Sequence, residues 1–289
     1  DRHVYMGLLG LLDAYNEKSR RFLKYFLPFM LTGIVYDSMR YYYWWGIAGH
    51  IHVAEPYNFE KAIFGFHDAG KLVTPNEYFQ VHTSSILDFF CGLAYLIFVG
   101  WYLTAAFMLY LSDNLRILRT FGWCFFTVNC MGFSTYYIYP AAPPWYVIQY
   151  GLLEEAKMYI HATPSAASRF DLLFGTHLFD TMYGNSVDVY GAFPSLHVAY
   201  PLLVAWVAIV TKRFRVPAIA FYFLMCFSAI YLQHHYIIDI ILGTGYSFAG
   251  LLIVRCVQER KTLAHMSWSE RLGKLLWPTP TLSPEISGS

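Results

Sequence analysis

The stretch YLQHHYIIDIILG, residues 231–243, joins two of the most apolar segments of the chain through two adjacent histidines and an aspartate. An ionisable side chain beside hydrocarbon is expensive, and such residues mark functional positions by default. His235 and Asp239 stand four apart, one helical turn. A carboxylate at that spacing can accept a hydrogen bond from one imidazole nitrogen and leave the other free as nucleophile or base. The plainer alternative is a histidine satisfying a helix end, with Asp239 capping the helix that follows.

The surroundings of the seam are those of a membrane protein. The 289 residues are 57% hydrophobic, 20% aromatic and only 13% charged. A soluble domain normally carries about 25% charge. A net charge of +1 offers no basic face for nucleic acid. The five cysteines all lie in apolar stretches without CxxC spacing, so they read as packing residues and not as a disulfide framework.

Six stretches approach the length needed to cross about 30 Å of hydrocarbon: 22–44, 85–111, 117–139, 195–211, 216–234 and 237–257. The expected fold is therefore an all-α membrane protein of six transmembrane helices. Its catalytic membrane domain is 22–257, flanked by an N-terminal segment 1–21 and a C-terminal tail 258–289. Asp37 and Arg40 interrupt the first stretch at a spacing that lets them compensate each other. RYYYWWG (40–46) then reads as an interfacial aromatic belt. Six crossings put both termini and the short loops on one side. Fifteen of the twenty Lys and Arg fall on that side, which places it in the cytoplasm. The seam then faces a periplasm or an organelle lumen. The longer loops, 45–84 and 140–194, lie with it and read as a structured cap of interfacial helices. In TPNEYF, Thr74, Pro75 and Glu77 form a capping box with proline at the first helical position.

A second cluster, GAFPSLHVAY (191–200), opens the fourth span. Pro194 suits a first helical turn, and Ser195 and His197 would stand where free backbone N–H groups form an anion site. His197 opens the fourth span and His235 closes the fifth, so both reach the same membrane face. Two histidines, a carboxylate and an anion-binding helix end at one interface point to phosphoryl chemistry.

The pair FPSLH and HHYIID resembles two signatures of the type-2 phosphatidic acid phosphatase superfamily, P-S-x-H and S-R-x5-H-x3-D. Ser228, His235 and Asp239 fall on the second, but Ala229 stands where that superfamily has arginine. The first signature, K-x6-R-P, is lost, with Gly132 and Tyr139 before Pro140. YPAAPPWY (139–146), ASRFDLLFGTHLFD (167–180) and GAFPSLH are together similar to inositol phosphorylceramide synthases, as are VYDSMRY (35–41) and TPNEYF. The resemblance covers roughly residues 30–245. The outward loops hold no N-x-S/T sequon, and long terminal extensions are lacking. The expectation is a bacterial member.

The resemblance implies that His235 attacks a phospholipid phosphorus and becomes a phosphohistidine. Asp239 would hold its tautomer, and His197 would protonate the departing diacylglycerol oxygen, then deprotonate an incoming alcohol such as ceramide. Inositol phosphate from phosphatidylinositol is the favoured transferred group. Arg169 is expected to replace the missing clamp cations, with pairing to Asp171 as its plain alternative. Ser195 would contribute its hydroxyl, and His234 a supporting or head-group contact. His50 and His52 form an HIH that reads as interfacial and not as a metal site. No metal or other cofactor is expected. The partners are two lipids and the bilayer. The alternative function is a lipid phosphate phosphatase, with water as acceptor.

Overall fold

The computed structural model describes residues 16–152, 156–184, 186, 188–263 and 270–271. Most of the two terminal segments, 1–21 and 258–289, lies outside the described residues. The chain opens with α1 (Glu17–Met39), then α2 (Tyr43–Ile47), α3 (Ala54–Phe64), strands β1 (Phe66–Asp68) and β2 (Lys71–Val73), and α4 (Pro75–Val81). Next come α5 (Ser85–Leu111) and α6 (Leu115–Ile138), followed by α7 (Pro144–Tyr150), α8 (Ser168–Phe174) and α9 (Leu178–Gly184). It closes with α10 (Leu196–Thr211), α11 (Arg215–Tyr231) and α12 (Ile237–Leu263).

Each of the six apolar stretches falls on one long helix: α1, α5, α6, α10, α11 or α12. Ser85–Leu111 and Ile237–Arg260 are long and apolar enough to cross a membrane by length and composition. The shorter α10 and α11 are also apolar. α10 packs against α5, α6, α11 and α12, and is the centre of the bundle. Its Val198, Ala199 and Leu203 are fully buried. That explains a sequence apolar on every face, where a surface helix would show one stripe. α1 packs on α6.

The ends of these helices have local causes. α10 stops at Lys212 and α11 starts after Phe214, both in the left-handed region. α11 ends at Tyr231, three residues short of the expected 234. Gln233, with φ 65°, turns the chain out of the helix. The two histidines therefore lie on a turn between α11 and α12, where the sequence had suggested a helix end. α1 also ends early, at Met39. Beyond it Tyr41 and Tyr42 stand exposed in a turn, and the short α2 buries Tyr43 and Ile47 and exposes Trp45.

The connections at the histidine end form a layer over the bundle. Three loops are joined by backbone hydrogen bonds, from His52 N to Pro140 O, Ala142 N to His52 O, and Ala141 N to Tyr190 O. The capping box of α4 is present: Glu77 N donates to Thr74 Oγ1 at 3.2 Å, and Thr74 N to Glu77 Oε2 at 2.7 Å. The β1–β2 hairpin, turning at Ala69 and Gly70, was not anticipated. At the opposite end, Arg21 pairs with Asp113 and Arg116 with Glu259. These bridges gather the start of α1, the α5–α6 turn and the far end of α12. Asp37 and Arg40 are joined at 2.8 Å, as their spacing suggests.

α12 passes against the entry to α10 at Gly243, where an added Cβ would fall far inside contact with the backbone carbonyl of Ser195. Overpacking costs typically about 1–3 kcal/mol. Gly243→Ala should therefore lower the melting temperature in detergent and cut activity. Gly245→Ala, which meets open space on the same helix, should change the melting temperature little.

Candidate active site

The turn at residues 232–236 is held by the last carbonyls of α11, which accept from the N–H groups of Leu232, Gln233, His234 and His235, and by the loop layer. Asn76 Nδ2, from α4, donates to the carbonyls of Ile230 and His235, each at 3.0 Å. Trp145 N, at the start of α7, donates to Gln233 O at 3.0 Å, and Ser165 Oγ to Gln233 Oε1 at 2.9 Å. Glu60, on α3 and fully buried, accepts from Ile237 N through both carboxylate oxygens at 3.0 and 3.1 Å. That places an anion on the N-terminus of α12, where orphan N–H groups and the helix dipole favour it. Burial pushes the Glu60 pKa up to about 7, with the Asp239 charge adding to the shift and the backbone N–H groups opposing it.

His235 Nδ1 lies 2.9 Å from the carbonyl oxygen of Ala192. A carbonyl only accepts, so Nδ1 carries the proton and Nε2 presents its lone pair. Nε2 stands 3.3 Å from Nδ1 of His197. The Asp239 carboxylate is farther from His235 Nδ1, at 3.4 Å, and its Oδ2 accepts from Tyr236 N at 2.9 Å. Asp239 therefore caps α12, the plainer of its two readings, with its carboxyl group behind His235, while the tautomer-setting hydrogen bond goes to the Ala192 carbonyl. Burial lowers the His235 pKa to about 4, so the imidazole is neutral at pH 7. The folded protein then binds fewer protons than the unfolded chain between about pH 4 and 6.5. Stability from this group is full above 6.5 and is lost as pH falls through that window.

His197 lies in the first turn of α10, stacked on Tyr95 with centroids 4.8 Å apart. His234 is not on a helix face. Its ring lies parallel to Tyr183 at 4.6 Å and near Tyr95 at 5.4 Å. Tyr95 thus orients two of the three histidines.

The Ser195 hydroxyl is buried with no hydrogen-bond partner, while its backbone N donates to Asp239 O at 3.0 Å. Asn76 Oδ1, Tyr95 OH, His234 Nε2, Tyr236 OH and Asp239 Oδ1 are likewise buried and unpaired among the described residues. Buried polar groups are normally paired, so each exception asks for a reason. Here they surround one pair of histidines.

Arg169 does not pair with Asp171. Its Nε is 2.6 Å from Asp88 Oδ1, and its guanidinium lies over the Tyr231 ring at 4.8 Å. Asp171 instead caps α9, accepting from Leu178 N at 3.1 Å and Phe179 N at 2.9 Å. His50 contacts Ala48 O, and His52 contacts Glu55 and stacks on Tyr139. Among the described residues, no three His, Cys, Asp or Glu side chains stand together as metal ligands.

The model of the PAP2 superfamily matches residues 71–253, a span that includes both histidines and Asp239. The chain belongs to the PAP2 superfamily. Within this superfamily it is similar to the phosphoinositol dihydroceramide synthase of Bacteroides thetaiotaomicron, at 40% identity over 86% of this chain and 82% of that protein. It is also 33% identical to the inositol phosphorylceramide synthase of Candida albicans, over 57% of this chain and 35% of that one. The catalytic subunit from Saccharomyces cerevisiae is 32% identical over 57% of this chain and 42% of its own length. No solved structure gives a significant match. This PAP2 member is a membrane enzyme, a lipid phosphotransferase resembling those synthases.

Glu60, Asn76, Asp88 and Tyr95 escaped the sequence reading because they meet the turn only through the fold. Ala192 contributes a backbone carbonyl, which no side-chain motif reports. Glu60→Ala leaves Ile237 N unpaired beside the histidine turn, and removing one partner of a buried hydrogen bond costs about 1–3 kcal/mol. Thermal stability and activity should both fall, and Glu60→Gln, which keeps an acceptor oxygen, should recover most of the loss. For His235, imidazole ¹⁵N shifts should titrate near pH 4. A titration near 6.5 would show that burial does not control it.

Proposed function

We propose that this enzyme moves a phospho-head group, inositol phosphate from phosphatidylinositol, to a lipid alcohol such as ceramide and releases diacylglycerol. The observation that carries this reading is the apposition of His235 Nε2 and His197 Nδ1 at 3.3 Å, ringed by unpaired buried polar atoms. The names of the relatives supply the donor and acceptor classes.

The chemistry runs in two displacements. His235 Nε2 attacks phosphorus, the bond from phosphorus to the diacylglycerol oxygen breaks, and His197 gives that oxygen a proton. The acceptor hydroxyl then attacks the phosphohistidine, the P–N bond breaks, and His197 takes the hydroxyl proton. Reacting atoms stand about 3–3.5 Å apart in near-attack geometry. A phosphorus cannot enter between nitrogens this close, so substrate must part the two imidazoles. Asp239 supports the imidazolium charge from behind. Ser195 and the N-terminus of α10 receive phosphate oxygens, and His234 contacts the head group. Arg169 stands just before the histidine turn, its charge divided between Asp88 and the phosphate. Phosphoryl transfer needs positioned charge more than covalent help.

In the bilayer, residues 22–257 form one catalytic domain of six crossings, with both termini cytoplasmic and the loop layer outside. Support comes from the cation bias and from the ion pairs that gather the short basic turns at one end. α10 is the short member: 16 residues give about 24 Å of helix. It can cross because the bundle encloses it.

Three measurements test this. Reconstituted protein with phosphatidylinositol and ceramide should yield phosphoinositol ceramide by mass spectrometry. Release of inositol phosphate to water alone would make it a phosphatase. His235→Ala should abolish turnover and any acid-labile phosphoenzyme, and His197→Ala should slow turnover by about 10²–10⁴-fold. Near-wild-type rates in either would remove that residue from the mechanism. A cysteine introduced near Lys157 should label from outside the cell membrane, and a C-terminal reporter should be cytoplasmic. Both on one side would overturn the six crossings.

A further inference from the structure

The ring contacts between α1 and α5 among the described residues lie over the halves remote from the histidines. There Phe22 and Phe26 contact Phe107 and Tyr110 with ring centroids 4.8 to 6.2 Å apart, and Phe29 stacks on Tyr102 at 6.3 Å. Among the described residues no ring pair joins them nearer the loop layer. The helices part, and a cavity of about 470 Å³ fills the gap. Thr32, Gly33 and Tyr36 form one wall, Tyr95, Phe98 and Val99 the other. Phe29, Tyr102 and Phe125 close its floor, and His197 and Asp188 stand at its head. Gly33 and Val99, on opposite lips, are both exposed on apolar helix surface. The cavity thus opens sideways between two long helices and ends against His197.

We propose that this cleft seats the lipid alcohol of the reaction, resting on the two-displacement reading above. In that reading the leaving alcohol and the attacking alcohol take the same place in turn, opposite His235 at phosphorus and beside His197. Both carry long chains, so one slot running from His197 into the apolar layer serves both. The diacylglycerol part of the donor occupies it first, and the acceptor occupies it after diacylglycerol has gone. A chain entering from the bilayer gains little by contact with apolar walls, because lipid tails are as apolar as leucine. Recognition therefore falls on the polar head of the slot. Asp188 Oδ1 accepts from Tyr36 OH at 2.9 Å and from Ser186 Oγ at 3.0 Å. Enclosure by protein pushes the Asp188 pKa up. Its carboxylate suits a hydroxyl or amide N–H and repels phosphate, which keeps the phospho-group on the His235 side. Deeper in the slot, Tyr200 OH donates to Asn129 Oδ1 at 2.5 Å, so that pair is already satisfied and leaves the lower part for chain.

The test uses a diacylglycerol bearing a diazirine in one chain, photolysed with the full-length protein in phosphatidylcholine vesicles. Labelled peptides are expected within 29–36 and 95–102, with the label competed by plain diacylglycerol. Uncompeted label, no label, or label confined to the second cavity near Met108, Val207 and Pro217 would overturn the proposal. Gly33→Phe provides a kinetic arm, since a side chain there meets open space and the fold should tolerate it. It should raise KM for long-chain ceramide by about ten-fold more than for a water-soluble short-chain ceramide, a loss of binding and not of chemistry. Equal losses for the two would overturn the cleft. If the wild-type enzyme delivers its phospho-group only to water, the acceptor reading fails, while diacylglycerol labelling still decides the cleft.

Discussion

The hydrogen bond between His235 Nδ1 and the carbonyl of Ala192 is the constraint on which the site depends. It joins the turn before α12 to the loop before α10, so two segments far apart in sequence must meet within hydrogen-bond distance. It also fixes which imidazole nitrogen is free. The neighbouring contacts serve the same junction. Ser195 N reaches Asp239 O, and Gly243 lets α12 approach the Ser195 backbone closely. Moving either segment by an ångström would break the tautomer control and the histidine pair together.

Holding such a junction at the end of an apolar bundle requires polar partners. An unpaired amide in an apolar setting costs about 2–7 kcal/mol, depending on the reference state. The loop layer answers this group by group, with Asn76, Trp145 N, Ser165 and Glu60 each meeting part of the turn. Most of the buried side-chain atoms left without a hydrogen bond among the described residues, those of Asn76, Tyr95, Ser195, His234, Tyr236 and Asp239, lie around the histidines. The backbone of the turn is thus held by named partners while several side chains beside it are not, a division expected where a ligand completes the bonding.

Much of this was legible beforehand, and the reasons are physical. Long apolar runs report helices because nothing else buries them, so all six were placed, with small errors at their ends. The α4 capping box was readable because its partners lie three residues apart. The P-S-x-H and H-x3-D spacings were readable because both residues of each pair lie on short, regular backbone. Gln233 was not readable as a break, since a non-glycine residue in the left-handed region gives no spacing signal and its partners Trp145 and Ser165 lie far off in sequence. Arg169 shows the same limit. Its neighbour in sequence, Asp171, was the obvious partner, yet Asp171 is occupied by the N–H groups of α9 and a carboxylate on α5 takes the guanidinium. Spacing predicts local bonds well and cannot see the competitor that wins from another helix.

The clamp of Glu60 on the N-terminus of α12 also bears on how the protein is made. The two partners are 177 residues apart, and Asn76 is 159 from His235. At about 5–20 residues per second, Glu60 emerges roughly ten to thirty-five seconds before the backbone it will cap. During that interval its carboxylate has no helix end to serve. His197 and His235 follow Glu60 and Asn76 by more than a hundred residues. The order of synthesis therefore delivers these holding side chains before the turn they hold. The junction of His235 with Ala192 can close only once the chain has reached its last long helix.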